Sequence, residues 1–250
     1  MISYKFDLKK DTPDSRDYLF SIHYDKKLPT LVDLRSGCSS IVDQGELGSC
    51  TSNAIVSGLR EYISISENNI HEIRLSRIYH YWWERYFEGT VNKDSGATLR
   101  DGMKVLNQCG VCLEETRPYI IKNFTDVPTH IENIEALKYT ISAYERLTSI
   151  NDIKHAIFNN NIVVFGITLY SSFVTKTKKD GIVHMPFFPS ILDKELGGHA
   201  MCIVGYNDDY LNGSFIVRNS WGTSFGDNGY CYMPYKMFKY FMDIWTVKLA

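Results

Sequence analysis

The sequence predicts an α+β fold with two lobes, and three observations lead to this prediction. Helical periodicity is concentrated in the first half of the chain, between residues 50 and 108. Continuous apolar runs rich in β-branched residues follow in the second half, from residue 162 onward. A chain of 250 residues is also long enough to bury a full core. Segregation of helices and strands along the chain favours this class over alternating β–α–β units.

Three helices are predicted in the first half. The first begins near Cys50, directly after the turn-rich residues 43–49, and its apolar residues are mostly three or four apart. Its buried face is formed by Ala54, Val56, Leu59 and Ile63. The second runs from residue 76 to 87 and carries many aromatic side chains. The third spans residues 98–107 and ends before Gly110, a glycine that fits a C-cap.

Four strands are predicted in the second half, after one short helix at residues 151–159. Residues 162–169 form a continuous apolar run, which is typical of a strand buried on both faces. Residues 199–205 and 214–219 are further strands. Residues 243–249 alternate between apolar and polar side chains, so we expect them to form the last strand.

Composition and charge exclude several classes of partner. The net charge is −2, which gives no general attraction to nucleic acid or to anionic lipid. No run of 18 or more apolar residues occurs, so no membrane span is expected. The first eleven residues contain no apolar signal-peptide core, and we expect the six cysteines to be reduced thiols. These observations favour a cytoplasmic protein, or one from another reducing intracellular compartment.

Competing motifs are weaker than they first seem. Cys109 and Cys112 form a C-x-x-C pair, but a helix precedes it and no second close pair is available for zinc, so a structural role is favoured. The aromatic residues 79–87 favour core packing over base stacking, because no basic stripe accompanies them. Residues 207–209 have too few supporting ligands for a calcium loop. No metal and no cofactor is expected.

Cys50 is the candidate nucleophile. A glycine-containing turn followed by a cysteine and then a helix places the thiol at a helix N-terminus. There the backbone N–H groups and the helix dipole favour the thiolate, which is the form that attacks carbonyl groups. Gln44 lies six residues earlier, so a loop can bring its amide beside the sulfur as a donor to the oxygen of a tetrahedral intermediate.

His199 is the candidate base. Two glycines precede it, and it opens an apolar strand that fixes the position of its ring. Twenty residues later, Asn219 ends another strand and is followed by a turn, so its side chain can accept a hydrogen bond from the imidazole. Trp221 would shield that bond from water. A lone histidine is more often a satisfied core residue, but this combination is hard to obtain by accident.

The chain resembles the papain family of cysteine peptidases, over roughly residues 28 to 234. Four segments carry the resemblance: the start of the mature domain at 28–35, the nucleophile loop at 44–50, the histidine strand at 198–206 and the asparagine turn at 219–230. The family implies a papain-like two-lobed fold, with a helix-rich lobe packed on an antiparallel, barrel-like β lobe and the active site in the cleft between them. We expect residues 1–27 to form an N-terminal arm or short prosegment, 28–140 the helix-rich lobe, and 141–250 the β-rich lobe.

The resemblance also implies a role for each site residue. Gln44 and the Cys50 N–H would form the oxyanion hole, and Cys50 with His199 would form a thiolate–imidazolium pair oriented by Asn219. Gly96 falls where the family lends glycine backbone to the substrate. The full set of implied substrate-binding residues is Gly48, Ser95, Gly96, Gly198 and Trp221.

Four departures from the family pattern have consequences. Leu47 replaces the first cysteine of the nucleophile loop, which removes a disulfide common in secreted relatives, and Thr51 replaces the usual aromatic residue. Gly198 replaces the frequent aspartate or asparagine before the histidine, so the local pH behaviour should differ. Residues 1–27 are too few for a long helical propeptide, but they suffice for an arm across the cleft.

The expected function is cysteine-type endopeptidase activity. Protein or peptide substrates, no nucleic-acid or membrane partner, and a monomeric state are expected. A catalytically silent protein that binds or supports other molecules on the same fold is the alternative, and ligation of peptides is a third possibility, because an amine can intercept an acyl-enzyme. No insertion resembling an occluding loop is evident near the nucleophile, which favours endopeptidase over exopeptidase action.

Overall fold

The structure is a computed structural model, and it describes residues 4–21, 27–177, 180–184 and 193–248. Within these residues the α-helices are α1 (Cys50–Ser52), α2 (Glu61–Asn68), α3 (Arg77–Phe87), α4 (Leu99–Gln108), α5 (His130–Ala136), α6 (Ile150–Phe158) and α7 (Ser171–Lys176). A π-helical segment, Asn53–Arg60, joins α1 to α2, and we call the continuous unit of residues 50–68 the central helix. Short 3₁₀ turns occupy Arg35–Gly37, Ile121–Asn123, Leu137–Tyr139 and Tyr235–Tyr240.

Seven strands form one antiparallel sheet. They are β1 (Leu31–Asp33), β2 (Ala143–Arg146), β3 (Val163–Tyr170), β4 (Glu195–Asn207), β5 (Ser214–Arg218), β6 (Tyr230–Pro234) and β7 (Phe241–Lys248). Their order is β2-β7-β3-β4-β5-β6, and β1 pairs with β4. Most helices precede the sheet in the chain, so the predicted α+β class is confirmed.

The central helix packs directly on β4. A Cβ at Gly58 would overlap the sulfur of Cys202 on β4, so only glycine allows this close approach. The Cys202 thiol also donates a hydrogen bond to the carbonyl oxygen of Ala54, at 3.0 Å. The sequence predicts an ordinary α-helix here, whereas the structure has a π-helical segment, and that segment contains the residues that contact β4. The contact fixes the start of the helix relative to the strand.

Strand β4 separates two hydrophobic cores. Ala200, Cys202 and Val204 face the central helix and belong to the first core. Met201 and Ile203 point to the opposite side and belong to the second core, with α6 and α7. Alternate residues of a strand point to opposite faces, so one strand serves both cores. It therefore holds its residues rigidly between the two layers.

Most predicted element boundaries agree with the observed caps. The Ser76 side chain accepts a hydrogen bond from the N–H of Tyr79 at the start of α3, and Thr98 accepts one from Asp101 at the start of α4. Gly110 has a φ of +70°, as expected of a glycine after a helix. The sequence analysis did not anticipate β1, β2, β6, α5 or α7, which are short elements of three to seven residues.

Candidate active site

Cys50 is the first residue of the central helix, as the sequence predicts. Ser49 is the N-cap, and its carbonyl oxygen accepts a hydrogen bond from the N–H of Asn53 at 3.0 Å. The Cys50 side chain is fully buried. Burial raises the pKa of its thiol to about 12. Cys50 and Ala200 belong to the same buried cluster, and Ala200 follows His199 in β4, so the start of the central helix packs against the strand next to the histidine.

His199 is held by Asn219 in one defined orientation. Its Nε2 lies 2.9 Å from Oδ1 of Asn219. An amide oxygen only accepts, so Nε2 carries the hydrogen and Nδ1 is the basic nitrogen of the neutral ring. Nδ1 is buried and has no hydrogen-bond partner among the described residues. Burial lowers the pKa of His199 to about 4, although the hydrogen bond that its Nε2–H donates to Asn219 favours the charged ring.

Asn219 and Trp221 complete the support of the histidine. Oδ1 of Asn219 also accepts from the N–H of Ser220 at 2.8 Å, which keeps the oxygen turned toward the ring. The Trp221 ring lies 4.9 Å from that of His199 at 31° and is itself buried. Water is thereby excluded from the His199–Asn219 bond, as expected from the sequence.

Gln44 is fully buried and is attached to the asparagine turn. Its Oε1 accepts a hydrogen bond from the Ser220 hydroxyl at 2.8 Å, and its backbone N–H donates to the Ser220 carbonyl at 2.9 Å. Its Nε2 donates one hydrogen to the Leu47 carbonyl at 3.1 Å, which leaves a second hydrogen available. The loop before the nucleophile and the turn after Asn219 are therefore one hydrogen-bonded unit.

An N-terminal arm, defined as residues 4–21, lies across this site. The N–H of Leu8 donates to the Gly198 carbonyl at 3.2 Å, and the N–H of Lys9 donates to the Ala97 carbonyl at 3.1 Å. The Tyr4 ring stacks on Trp221 with centroids 4.7 Å apart. The arm backbone therefore runs over Gly198 and Ala97, and its first described residue covers Trp221.

Three of the predicted substrate-binding glycines contact this arm. Gly96 has a φ of +64°, and a Cβ there would overlap the carbonyl oxygen of Asp7. A Cβ at Gly198 would overlap the backbone oxygen of Leu8, and one at Gly48 would lie 3.1 Å from Oδ2 of Asp7. Absence of side chains at these positions therefore lets a peptide backbone approach closely.

The fourth predicted residue, Ser95, has a different environment. Its hydroxyl donates to Thr90 Oγ1 at 2.9 Å, within its own loop. The hydroxyl thus stabilises the loop that carries Gly96, and no contact between the Ser95 side chain and the arm is found among the described residues.

Two residues that the sequence analysis missed tie these glycines together. Asp94 accepts hydrogen bonds from the Gly48 N–H at 3.0 Å and from the Tyr81 hydroxyl at 2.6 Å. The Tyr81 oxygen accepts in turn from the Gly96 N–H at 3.1 Å. Asp94 directly precedes Ser95 and Gly96, which was the only signal available in the sequence.

The arm is anchored beyond the cleft by an ion cluster that we call the arm clamp. Arg146 binds Asp11 at 2.9 Å, Asp17 at 2.9 Å and Asp243 at 3.0 Å. Arg100 binds Asp17 at 2.7 Å through its guanidinium and Asp11 at 3.0 Å through its backbone N–H. The clamp thus joins two arm carboxylates to α4, β2 and β7.

The remaining motifs show no second site in the described part of the chain. Cys109 and Cys112 have free thiols, in keeping with a structural role. Tyr79, Tyr81 and Trp82 of the aromatic segment are buried in the helical lobe. Within the described ranges, no group of three or more His, Cys, Asp or Glu side chains is placed to hold a metal. None of the described helices combines the length and apolar character that crossing a membrane requires.

Removal of the Asn219 side chain should separate orientation of the histidine from substrate binding. In Asn219→Ala we expect kcat to fall about tenfold or more, with KM little changed, because Nδ1 of His199 is no longer held toward the sulfur. Steady-state kinetics on a peptide substrate provide the measurement. Asn68→Ala is a matched control, since that amide donates to a backbone carbonyl of α2 and lies away from the cleft. An unchanged kcat in Asn219→Ala would argue against the orienting role.

Comparisons with known proteins agree with this geometry. The family model described as papain family cysteine protease matches residues 28–240. An uncharacterised peptidase C1-like protein of Acanthamoeba polyphaga mimivirus is 36% identical over 94% of this chain and 83% of its own length. Cysteine proteinase 3 of Dictyostelium discoideum is 28% identical over 83% of this chain, which spans only 59% of that protein.

A solved structure gives the same result for the fold. Xylellain, a cysteine protease from Xylella fastidiosa, superposes with a TM-score of 0.89 at 31% identity, and the match covers 100% of this chain and 99% of that one. The family match and the viral relative both extend over most of the sequence, and they include the segments that carry Cys50, His199 and Asn219. The chain belongs to the papain family of cysteine proteases.

Proposed function

We propose that the protein is a cysteine endopeptidase whose nucleophile is Cys50 and whose general acid and base is His199. One observation carries this proposal: the bond from His199 Nε2 to Asn219, at 2.9 Å, leaves Nδ1 buried and unpartnered on the strand that packs against the start of the central helix, where Cys50 and Ala200 share one buried cluster. The unpartnered Nδ1 of that histidine is the only ring nitrogen free to receive the thiol proton, because Asn219 occupies Nε2.

The chemistry follows from these positions. His199 Nδ1 takes the proton of Cys50, and the sulfur attacks the peptide carbonyl carbon to form a C–S bond and a tetrahedral oxyanion. The free Nε2 hydrogen of Gln44 and the backbone N–H of Cys50 stabilise that oxygen. Collapse breaks the C–N bond, and the protonated ring delivers its proton to the leaving amine. Water then attacks the thioester with His199 as base, which releases the acid and restores the thiol.

Endopeptidase action is supported by the path of the arm. Tyr4 stacks on Trp221 on one side of the dyad, and Lys9 bonds to Ala97 on the other. The cleft therefore accepts an extended backbone that continues past the nucleophile in both directions. An exopeptidase needs one end of the substrate path to be closed.

We also propose that residues 1–27 act as an inhibitory arm, with 28–140 and 141–250 as the two lobes. In the arm-bound protein Cys50 and His199 are fully buried, and burial favours the neutral thiol and the neutral ring. The arm thus opposes catalysis in two ways, by covering the dyad and by disfavouring its charged form. Strand β1 lies within residues 28–140 but pairs with β4, which places residues 31–33 on the sheet.

A reducing compartment and a monomeric state complete the proposal. All six cysteines have free thiols, and Cys50 must be reduced to act. Protein or peptide substrates are expected from the family, and the proposed reaction requires no cofactor.

Hydrolysis of a peptide by the full-length chain under reducing conditions tests the function. Product masses that sum to the substrate plus one water support hydrolysis, whereas joined peptides support ligation. If neither the wild-type chain nor a variant with a weakened arm cleaves any peptide in a library, the catalytically silent alternative is favoured instead.

The arm clamp gives the proposed inhibition a pH dependence. Burial and the nearby charge of Asp243 raise the pKa of Asp11 from 3.8 to about 6, and this rise outweighs the contacts with Arg100, Trp245 and Arg146, which favour the carboxylate. A raised pKa means that the docked arm binds the proton more tightly than the free arm does. Docking is therefore strongest below the ordinary pKa of Asp11, and this contribution is lost as pH rises through about 6.

We therefore expect inhibition by the arm to weaken by about tenfold between about pH 5 and pH 7.5. Asp11→Asn should remove that dependence, because the amide does not titrate. The measurement is the ratio of wild-type to Asp11→Asn hydrolysis rates at each pH, in which the pH dependence of the dyad cancels. A ratio that stays constant across this range would rule out Asp11 as the titrating group.

A further inference from the structure

Three buried polar side chains lie directly behind the nucleophile. The Thr51 hydroxyl donates to Oε2 of Glu84 at 2.7 Å. Oε1 of Glu84 lies 3.4 Å from Nδ1 of His80, and Nε2 of His80 lies 3.0 Å from the Gly102 carbonyl oxygen. All three side chains are fully buried, and the proposed reaction uses none of them. They form a chain, which we call the Thr51 chain, from the first turn of the central helix through α3 to α4.

The acceptors in the Thr51 chain determine which nitrogen of His80 carries a hydrogen. The Gly102 carbonyl only accepts, so Nε2 of His80 carries a hydrogen. Nδ1 of His80 and Oε1 of Glu84 are both buried, and neither has a hydrogen-bond partner among the described residues. The two atoms lie 3.4 Å apart, so each group is the other's compensating partner in the core.

The surrounding packing is shaped to hold this pair. A Cβ at Gly102 of α4 would lie against Oε1 of Glu84 and would overlap the side chain of Ile55. A glycine is therefore needed where α4 passes the pair. Other charged groups close to Glu84 are Arg85 of α3 and Glu88, which follows α3 as its C-cap. The negative charges of Glu84 and of Asp7 of the arm both act on the Cys50 thiol, and each raises its pKa.

Thr51 connects the chain to the nucleophile. Thr51 directly follows Cys50 in the first turn of the central helix, and its side chain is the end of the Thr51 chain. The backbone N–H groups of a first turn and the helix dipole favour a thiolate at the helix N-terminus. A Thr51 hydroxyl held at 2.7 Å by a buried carboxyl therefore restrains the turn that stabilises the thiolate.

We propose that Thr51, Glu84 and His80 are positioning residues that favour the thiolate of Cys50 by fixing the first turn of its helix. This inference rests on the proposed function of Cys50 as nucleophile. All three side chains are buried, and each acts through the first turn of the central helix.

Thr51→Val is the decisive variant, because it keeps the shape and removes only the hydroxyl. The readout is the rate of Cys50 alkylation by iodoacetamide in the full-length protein, expressed as the ratio of variant to wild type across pH. Both proteins carry the same arm, so arm opening cancels in the ratio. We expect the ratio to be about one tenth at neutral pH, equivalent to about one pKa unit, and to approach one as pH rises through the titration of the thiol.

Two further variants separate positioning from stability. Thr51→Ser retains a hydroxyl and should restore the ratio to near one. Ser39→Ala is the matched control, since the Ser39 hydroxyl donates to the buried carboxyl of Glu61 at 2.5 Å, about 16 Å along the helix from Cys50. It should lower the melting temperature as Thr51→Val does, and yet leave the alkylation ratio at one throughout.

The proposal is overturned if the Thr51→Val ratio is the same at every pH, or if Ser39→Ala produces the same pH-dependent ratio. Failure of the proposed function gives a different result. In that case neither the wild-type chain nor a variant with a weakened arm cleaves any peptide, although iodoacetamide still reports the pKa of Cys50.

Discussion

Replacement of Cys50 with alanine is expected to lower kcat for peptide hydrolysis by about 10⁴-fold or more, because no other group is placed to attack the carbonyl. The fold should survive, since the side chain is small and buried and a methyl group replaces the thiol at small cost in volume. His199→Ala should give a loss of similar size, because nucleophile and base act as one unit.

Rates of cleavage of a quenched fluorescent peptide check this result. Cys109→Ala is the matched control, because that thiol is half-buried and lies at the end of α4, away from the cleft. Residual activity above one hundredth of wild type in Cys50→Ala, with a native melting temperature, would mean that another group performs the chemistry.

Truncation of Leu8 is expected to increase the activity of the full-length chain. The Leu8 side chain is 93% buried, at 7% exposure, and it fills the space over Gly166, Gly198 and Met242. Leu→Ala at a buried position costs roughly 2 to 5 kcal/mol. When this free energy is lost from docking of the arm, the population with an open cleft rises about 30-fold or more. The rate of hydrolysis rises with that population until the cleft is fully open.

Initial rates of Leu8→Ala and wild type, measured before any autolysis of the arm, provide the comparison. Tyr18→Ala is the control, because Tyr18 is on the same arm but its side chain is 75% exposed. Equal rates in Leu8→Ala and wild type, with both proteins folded, would contradict the inhibitory role of the arm.

The four central residues were predictable because each lies in a local pattern. Each pattern occupies no more than about ten residues. One is a glycine-containing turn followed by a cysteine and a helix, and the other is a pair of glycines followed by a histidine and a strand. The structure then brings these segments together through β4 and the bonds between Gln44 and Ser220. Asp94 was missed because its partners, Gly48 and Tyr81, are 46 and 13 residues away.

Thr51 shows where sequence reasoning fails in another way. The sequence analysis treated it as a tolerated replacement for an aromatic residue. Its partner Glu84 is 33 residues distant and sits among the aromatic residues of α3, where a charged residue suggests a solvated helix position. Instead Glu84 is fully buried beside His80. Helical periodicity does not show that two ionisable side chains are paired in a core.

The sequence predicts that residues 1–27 form an arm, but it does not predict which residues the arm contacts. Its composition is polar, and residues 11–17 indicate only a turn or an extended arm. Burial of Leu8 and the pairing of Asp11 and Asp17 with Arg146 depend on residues more than 120 positions away, and no local pattern encodes them.

Covalent labelling tests the central claim most directly. The Leu8→Ala protein is incubated with an epoxysuccinyl peptide under reducing conditions, and the adduct is located by mass spectrometry of its fragments. The account predicts one adduct per chain, on Cys50, and a loss of labelling of about 10²-fold or more in His199→Ala. Label distributed over other thiols such as Cys38 and Cys109, or labelling of Cys50 that does not depend on His199, would contradict it.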